Sequence, residues 1–197
     1  LDVLRDRKVP TVLGNHDAAV AGTIDTTFFN PMAREAVLWT QGQLTEGDLD
    51  WLQELPLLHH EPDCSVAHGS YANPAQYSYI QSTEDADPSL DLQPSRVCFV
   101  GHTHVPVTIL RLAESPERTF YTMDNRVDLS SVDRALINVG SVGQPRDEDP
   151  RAGVGIYDSE TFQYELLRVE YDPKLEGQRI QAAGLPKMLA DRLFLGI

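Results

Sequence analysis

Three short apolar runs in this chain each end in a cluster of histidine and glycine, and that repetition limits the folds open to it. Val9-Pro10-Thr11-Val12-Leu13 leads into Gly14-Asn15-His16-Asp17, Cys64-Ser65-Val66-Ala67 into His68-Gly69, and Val97-Cys98-Phe99-Val100 into Gly101-His102-Thr103-His104. Such runs read as β-strands, and the last, apolar throughout, reads as a strand covered on both faces. Polar residues collected at strand ends are a common way to build a site on an α/β frame. The glycine beside each cluster lets the backbone turn sharply or approach a ligand closely.

The remaining patterns fill in a frame around these strands. Pro31 opens a helix in which Met32, Ala36, Val37 and Trp39 share a face or its margin. Thr45-Glu46-Gly47-Asp48 resembles a capping box, so a second helix starts there, buries Leu49, Leu52 and Leu55, and stops at Pro56. Leu57 to His60 reads as a strand turning back into Cys64–Ala67. The acidic stretch from Gln81 to Ser95, with two prolines, reads mostly as a solvated loop. Further strands are expected at Val107–Leu112, Ala135–Val139, Val154–Tyr157 and Phe162–Val169, the last placing Phe162, Tyr164, Leu166 and Arg168 on one side. Leu175 to Ala183 is a helix closed by Gly184, and Pro186 opens a short last helix through Leu193. One domain over 1–197 accommodates all of this.

Charge excludes some functions. A formal net charge of −14 argues against broad nucleic-acid binding, which needs a cationic face. It leaves phosphorylated substrates open, because bound metal ions can set the local charge of a site within an acidic surface. No apolar run is long enough to span a membrane and no signal-peptide pattern opens the chain, so a cytoplasmic location is expected. Cys64 and Cys98 lie in strand-like stretches and read as reduced, buried thiols rather than a disulfide.

The clusters carry the chemistry. His102 and His104 are two apart, a spacing that on an extended segment projects both to one side, suited to gripping one metal centre or two adjacent ones. Imidazole nitrogens with the amide oxygen of Asn15 suit Mn, Fe, Zn or Ni better than Ca. Each cluster alone has an ordinary explanation. A lone histidine at a strand end is more often a hydrogen-bonded structural residue, His-x-His occurs without metal, and Gly-Asn-His-Asp could be a turn. Their occurrence on successive strands is what favours a metal site; His59 and His60 have no such company and fall outside it.

Gly14-Asn15-His16-Asp17, Ala67-His68-Gly69-Ser70 and Gly101-His102-Thr103-His104 closely resemble the last three signature blocks of the calcineurin-like metallophosphoesterases. Asn138-Val139-Gly140-Ser141-Val142-Gly143-Gln144-Pro145-Arg146 resembles the strand and loop that follow them in a bacterial subgroup of small phosphoesterases. The resemblance runs from Val9 to about Asp158. It implies an α/β (α+β) fold of two packed mixed β-sheets flanked by helices in a four-layer sandwich. It implies two divalent metal ions, with Asn15, His68 and His102 ligating one and His104 its neighbour. His16 would be a non-ligand residue facing the phosphate, as general acid or stabiliser of charge. Asp17 would orient nearby groups or cap the following helix, and Arg146 could reach a substrate phosphate. The implied reaction is hydrolysis of a phosphoester by a hydroxide held between two metals, falling off in acid as the ligand histidines protonate. Phosphorylated small molecules, nucleotides and phosphoproteins are all served by similar motifs.

The same resemblance places an Asp-x-His block and a Gly-Asp block ahead of Val9, supplying further ligands and a bridging carboxylate. The chain has neither; it begins with Leu1, and Leu1 to Lys8 resembles the helix that follows them. An N-terminally incomplete domain, lacking its first strand-helix-strand unit, is therefore expected. With four neutral ligands alone, it should hold two dications poorly and leave a sheet edge unpaired. A fragment of an intact enzyme is the favoured explanation. The others are a missing unit supplied by another chain and an inactive relative that serves as a phosphate-binding or interaction module.

Overall fold

A computed structural model describes all residues from 1 to 197. Its centre is a six-stranded mixed sheet in the order β1-β2-β3-β7-β4-β5, built from β1 (Leu58–His60), β2 (Cys64–Ala67), β3 (Val97–Val100), β4 (Val107–Leu112), β5 (Ser115–Thr122) and β7 (Val132–Asn138). A three-stranded sheet in the order β6-β9-β8 joins β6 (Arg126–Asp128), β8 (Ala152–Asp158) and β9 (Gln163–Val169), and it is wholly antiparallel. The α/β architecture of two packed sheets flanked by helices is as expected, and the larger sheet is the mixed one.

Period-two alternation divides the large sheet's residues between two cores. Val97, Leu110, Ala135 and Ile137 point to the small sheet, where they meet Val127, Tyr164 and Leu166. Their neighbours Cys98, Val100, Ile109 and Leu136 point the other way, onto helix α5 (Thr83–Leu92) through Ala86 and Leu90. β3 is buried on both faces, as its apolar sequence requires. On β9, Tyr164 and Leu166 face the core while Leu167 and Val169 are exposed, the expected alternation.

A smaller core lies among α2 (Asn15–Val20), α3 (Pro31–Gln41) and α4 (Glu46–Glu54). Thr45 and Asp48 form the capping box of α4. Leu52 is its buried residue, with Leu49 and Leu55 packed against the same cluster. In α3, Val37 is buried but Trp39 is exposed, contrary to expectation. Two residues on from Val37 is about 200° around the helix, which places Trp39 on the opposite side.

Two other readings change. Val9–Leu13 is no strand: Pro10 lacks a donor, and the one backbone hydrogen bond made by an amide of the segment beyond the α1 turn (α1, Asp2–Asp6) runs from Leu13 to Pro56. The acidic stretch after Gln81 is mostly helix α5, not loop. Ser82 accepts from the Asp85 amide while Asp85 returns bonds to the amides of Gln81 and Ser82. Arg111 on β4 then pairs with Asp87 and Asp91 and anchors the helix to the sheet. The buried Ala86 and Leu90 and these ion pairs together hold the helix despite Pro88 inside it.

The chain closes with α6 (Pro173–Ala182) and α7 (Lys187–Leu195), separated by Gly184 at a positive φ of 77°. Both cysteines are free thiols. No helix is long and apolar enough to cross a membrane.

Candidate metal and phosphate site

β2, β3 and β7 run parallel, so their C-terminal ends lie along one edge of the sheet. His68 leaves β2 there, His102 and His104 leave β3, and Asn138 ends β7. This is where α/β sheets generally hold ligands. The first turn of α2 brings Asn15, His16 and Asp17 to the same edge. His59 and His60 stay away: β1 is antiparallel to β2 and pairs His60 with Ser65, so His60 sits at the far end from His68.

At the edge, His68 touches two other polar side chains. His68 Nε2 is 3.0 Å from Asn15 Oδ1 and 3.0 Å from His102 Nδ1. An imidazole nitrogen has one position in the ring plane, holding either a proton or a lone pair. It cannot satisfy both contacts as full hydrogen bonds, whichever tautomer His68 adopts. A common cation removes the conflict: ligands about 2.1 Å from one ion and at right angles to each other lie about 3.0 Å apart. No group of three or more His, Cys, Asp or Glu side chains is placed to hold a metal ion. The third donor here is an amide, and the set is neutral throughout.

The imidazoles are held in their unprotonated form. Burial, reinforced by the charges of His102, His104 and His16, pushes His68 down to about 4. His104 is also pushed down to about 4, by burial first and then by Arg146. Burial lowers His102, against a pull upward from the Tyr77 backbone. His104 Nδ1–H donates to the carbonyl of Gln144 at 2.7 Å, which fixes the tautomer and leaves Nε2 unprotonated. His104 does not share in the contacts of His68 with Asn15 and His102.

His16 is exposed, with its ring edge-on to Phe29 at 5.0 Å between centroids. Partial burial lowers its pKa, and Asp17 opposes this. Asp17 Oδ2 accepts the Gly14 amide at 3.1 Å, so the capping role is the one its hydrogen bond serves. Arg146 is half-buried and bonds through its guanidinium to the Gln144 side chain, with no carboxylate partner. Its charge bears on His16, His102 and His104. It is a cation without a carboxylate partner among these histidines.

Close approach explains the glycine of the first cluster. A Cβ on Gly14 would lie 2.9 Å from Asp17 Oδ2 and 2.9 Å from Cε1 and Nδ1 of His68. A Cβ on Gly69 would lie 2.8 Å from the Ser78 carbonyl.

Asn138, which opens the 138–146 block but was given no role there, is a positioning residue. Buried at the end of β7, it donates to the Gly101 carbonyl at 2.6 Å and to Thr103 Oγ1 at 2.8 Å, and accepts the Gly140 amide at 2.9 Å. These bonds clamp a loop in which His102 and His104 both take positive φ, 66° and 64°. Non-glycine residues rarely adopt that conformation, and here the clamp holds two of them in it. Tyr79, stacked on His102 at 4.0 Å, was missed as well. Asn138 carried a signal, a polar residue closing an apolar run just before Val139-Gly140; Tyr79 carried none.

Parallel strands with histidine-bearing loops at their C-terminal edge define an α/β protein whose polar cluster lies where such sheets hold ligands. No family model matches the chain. It is 33% identical over 202 residues to an uncharacterized protein of Methanocaldococcus jannaschii, covering 100% of this chain and 79% of that one. A metallophosphoesterase from Sphaerobacter thermophilus matches at 37% identity and a TM-score of 0.79, over 94% of this chain and 76% of the other. A hypothetical protein from Pyrococcus horikoshii, 18% identical, shares the fold with a TM-score of 0.77 over 100% of this chain and 78% of its own. The chain belongs to the metallophosphoesterase family of phosphoester hydrolases.

Proposed function

We propose that this site hydrolyses a phosphoester with the help of divalent metal. The observation that carries the reading is the approach of His68 Nε2 to both Asn15 Oδ1 and His102 Nδ1 at 3.0 Å, with His16 and Arg146 near the same sheet edge. Asn15, His68 and His102 would hold one ion, and His104 Nε2 would ligate a second beside it. Mn, Fe, Zn and Ni all suit this nitrogen-rich set. Bound there, the ions supply Lewis acidity toward the phosphoryl oxygens and lower the pKa of water.

The chain's own side chains do the rest. His16 lies outside the ligand contacts and stands exposed. It would donate a proton to the leaving oxygen, or carry part of the transition-state charge as a hydrogen-bond donor. Asp17 fixes the turn that presents it. Arg146 would pair with a non-bridging phosphate oxygen and hold the phosphorus in place. Phosphorylated small molecules, nucleotides and phosphoproteins all meet these requirements.

The test is His16→Ala, assayed on an aryl phosphate with Mn or Zn present and with bound metal measured in parallel. Turnover should fall by roughly 10²–10⁴-fold with metal content unchanged. Undiminished turnover would remove His16 from the reaction. A protein that binds metal and phosphate but turns over no ester, before or after the change, would instead be a phosphate-recognition module.

A further inference from the structure

Behind the loop that carries His102 and His104 lies a second cavity, of about 550 Å³. Its floor is one face of the β4–β5 hairpin. Ile109 and Tyr121 are register partners there, and Val107 and Met123 lie two residues along from each on the same side. Ile80 and Val105 complete the apolar lining, and the first turn of α5 closes one wall with Ser82 and Thr83. None of Asn15, His16, His68, His102, His104 or Arg146 lines it. It shares only the wall of Thr103 and Val105 with the histidine loop.

Its chemistry is specific in what it omits. No charged side chain lines the cavity, although the protein carries a formal charge of −14 and 23% of its residues are charged. Ile80 and Ile109 are buried at its base, while Tyr121 and Met123 stand 69% and 62% exposed at its rim. The volume is that of ordinary small-molecule pockets, and an aromatic rim over an aliphatic floor suits a flat, uncharged ring. Thr103 and Val105 form the wall shared with the histidine loop. Thr103 Oγ1 accepts from Asn138 and from the Val105 amide, so an occupant would press on the segment that holds His102 and His104.

We propose that this cavity is a binding site for a neutral, ring-bearing small molecule, packed against Thr103 and Val105 of the His102–His104 loop. The ring could arrive as a free ligand or as the uncharged part of a phosphoester, and the two are separable by experiment. The proposal does not rest on the metal reading.

The test is titration of the full chain, without metal, with 2-naphthol, followed through the methyl resonances of its isoleucines, valines and methionines. Saturable binding is expected, with the largest shifts at Ile80, Ile109 and Met123. Thr83→Trp, which fills the cavity from its rim, and Tyr121→Ala, which removes the rim ring, should each weaken binding by about tenfold or more. Tyr121→Phe should stay within about twofold of the parent. With metal present, a selective loss of kcat/KM for 2-naphthyl phosphate over methyl phosphate in Thr83→Trp would identify the ring as part of the substrate. An unchanged ratio alongside weakened naphthol binding would identify a free ligand. Absence of saturable binding, shifts centred elsewhere, or equal affinity in the parent, Thr83→Trp and Tyr121→Ala would overturn the proposal.

Discussion

Asn138→Ala is the most informative single change outside the proposed metal ligands, because its size follows from three hydrogen bonds. The substitution removes the donations to Gly101 O and Thr103 Oγ1 and the acceptance from Gly140. Asn138 is 3% exposed, so water cannot easily replace them. At about 1 kcal/mol for each net bond, the loss is about 3 kcal/mol. A domain of this size loses roughly 2–4 °C of Tm per kcal/mol, so a fall of roughly 6–12 °C is expected. Asn138→Asp should do no better, since it keeps the acceptor for Gly140 but turns a carboxylate toward the Gly101 carbonyl. Released from the clamp, His102 and His104 would relax from positive φ, and metal affinity should fall by more than stability alone accounts for. Differential scanning fluorimetry on the metal-free and metal-loaded protein reads both effects. A drop in Tm below about 2 °C, with unchanged metal affinity, would refute the reasoning.

Other consequences are open to similar checks. Gly14→Ala forces a methyl to 2.9 Å from the His68 ring and should destabilise by about 1–3 kcal/mol, measured by urea unfolding. Arg146→Ala should lower kcat/KM on a phosphoester by roughly 10–100-fold and leave metal content unchanged, with partial recovery in Arg146→Lys; loss of metal instead would make Arg146 structural. Asp149, bonded to Arg151 and held down to about 2, has a folded pKa below its ordinary 3.8. Its stabilising contribution is therefore fully present above about 3.8 and disappears as pH falls through about 2. The Tm difference between the parent and Asp149→Asn should narrow from pH 4 toward pH 2, and a constant difference would contradict the assignment.

Much of the site was legible in the sequence because it depends on local order. The strand followed by Gly-His-Thr-His could be read without the fold, since an apolar run and a sharp turn are encoded side by side. The same holds for the capping box of α4, where Thr45 and Asp48 are three residues apart. What stayed hidden depends on partners distant along the chain. Asn138 acts on residues 35 to 37 positions earlier, and Tyr79 meets His102 only after folding. Helix α5 was obscured by its acidic composition and Pro88, and its anchor, Arg111, lies on a strand formed later in the sequence. β5, polar and exposed along most of its length, gave no period-two signal, and its place at the sheet edge explains why it needs none. Val9–Leu13 shows the reverse error, a strand-like composition with no neighbour to pair with.

The central claim is that Asn15, His68 and His102 share a divalent cation. Anomalous diffraction from crystals grown with Mn or Zn, collected at the metal's absorption edge, tests it most directly. The expected result is a peak about 2.0–2.3 Å from Asn15 Oδ1, His68 Nε2 and His102 Nδ1 together, lost in His68→Ala. No peak at that position, or metal only at other residues such as His59, would contradict the claim.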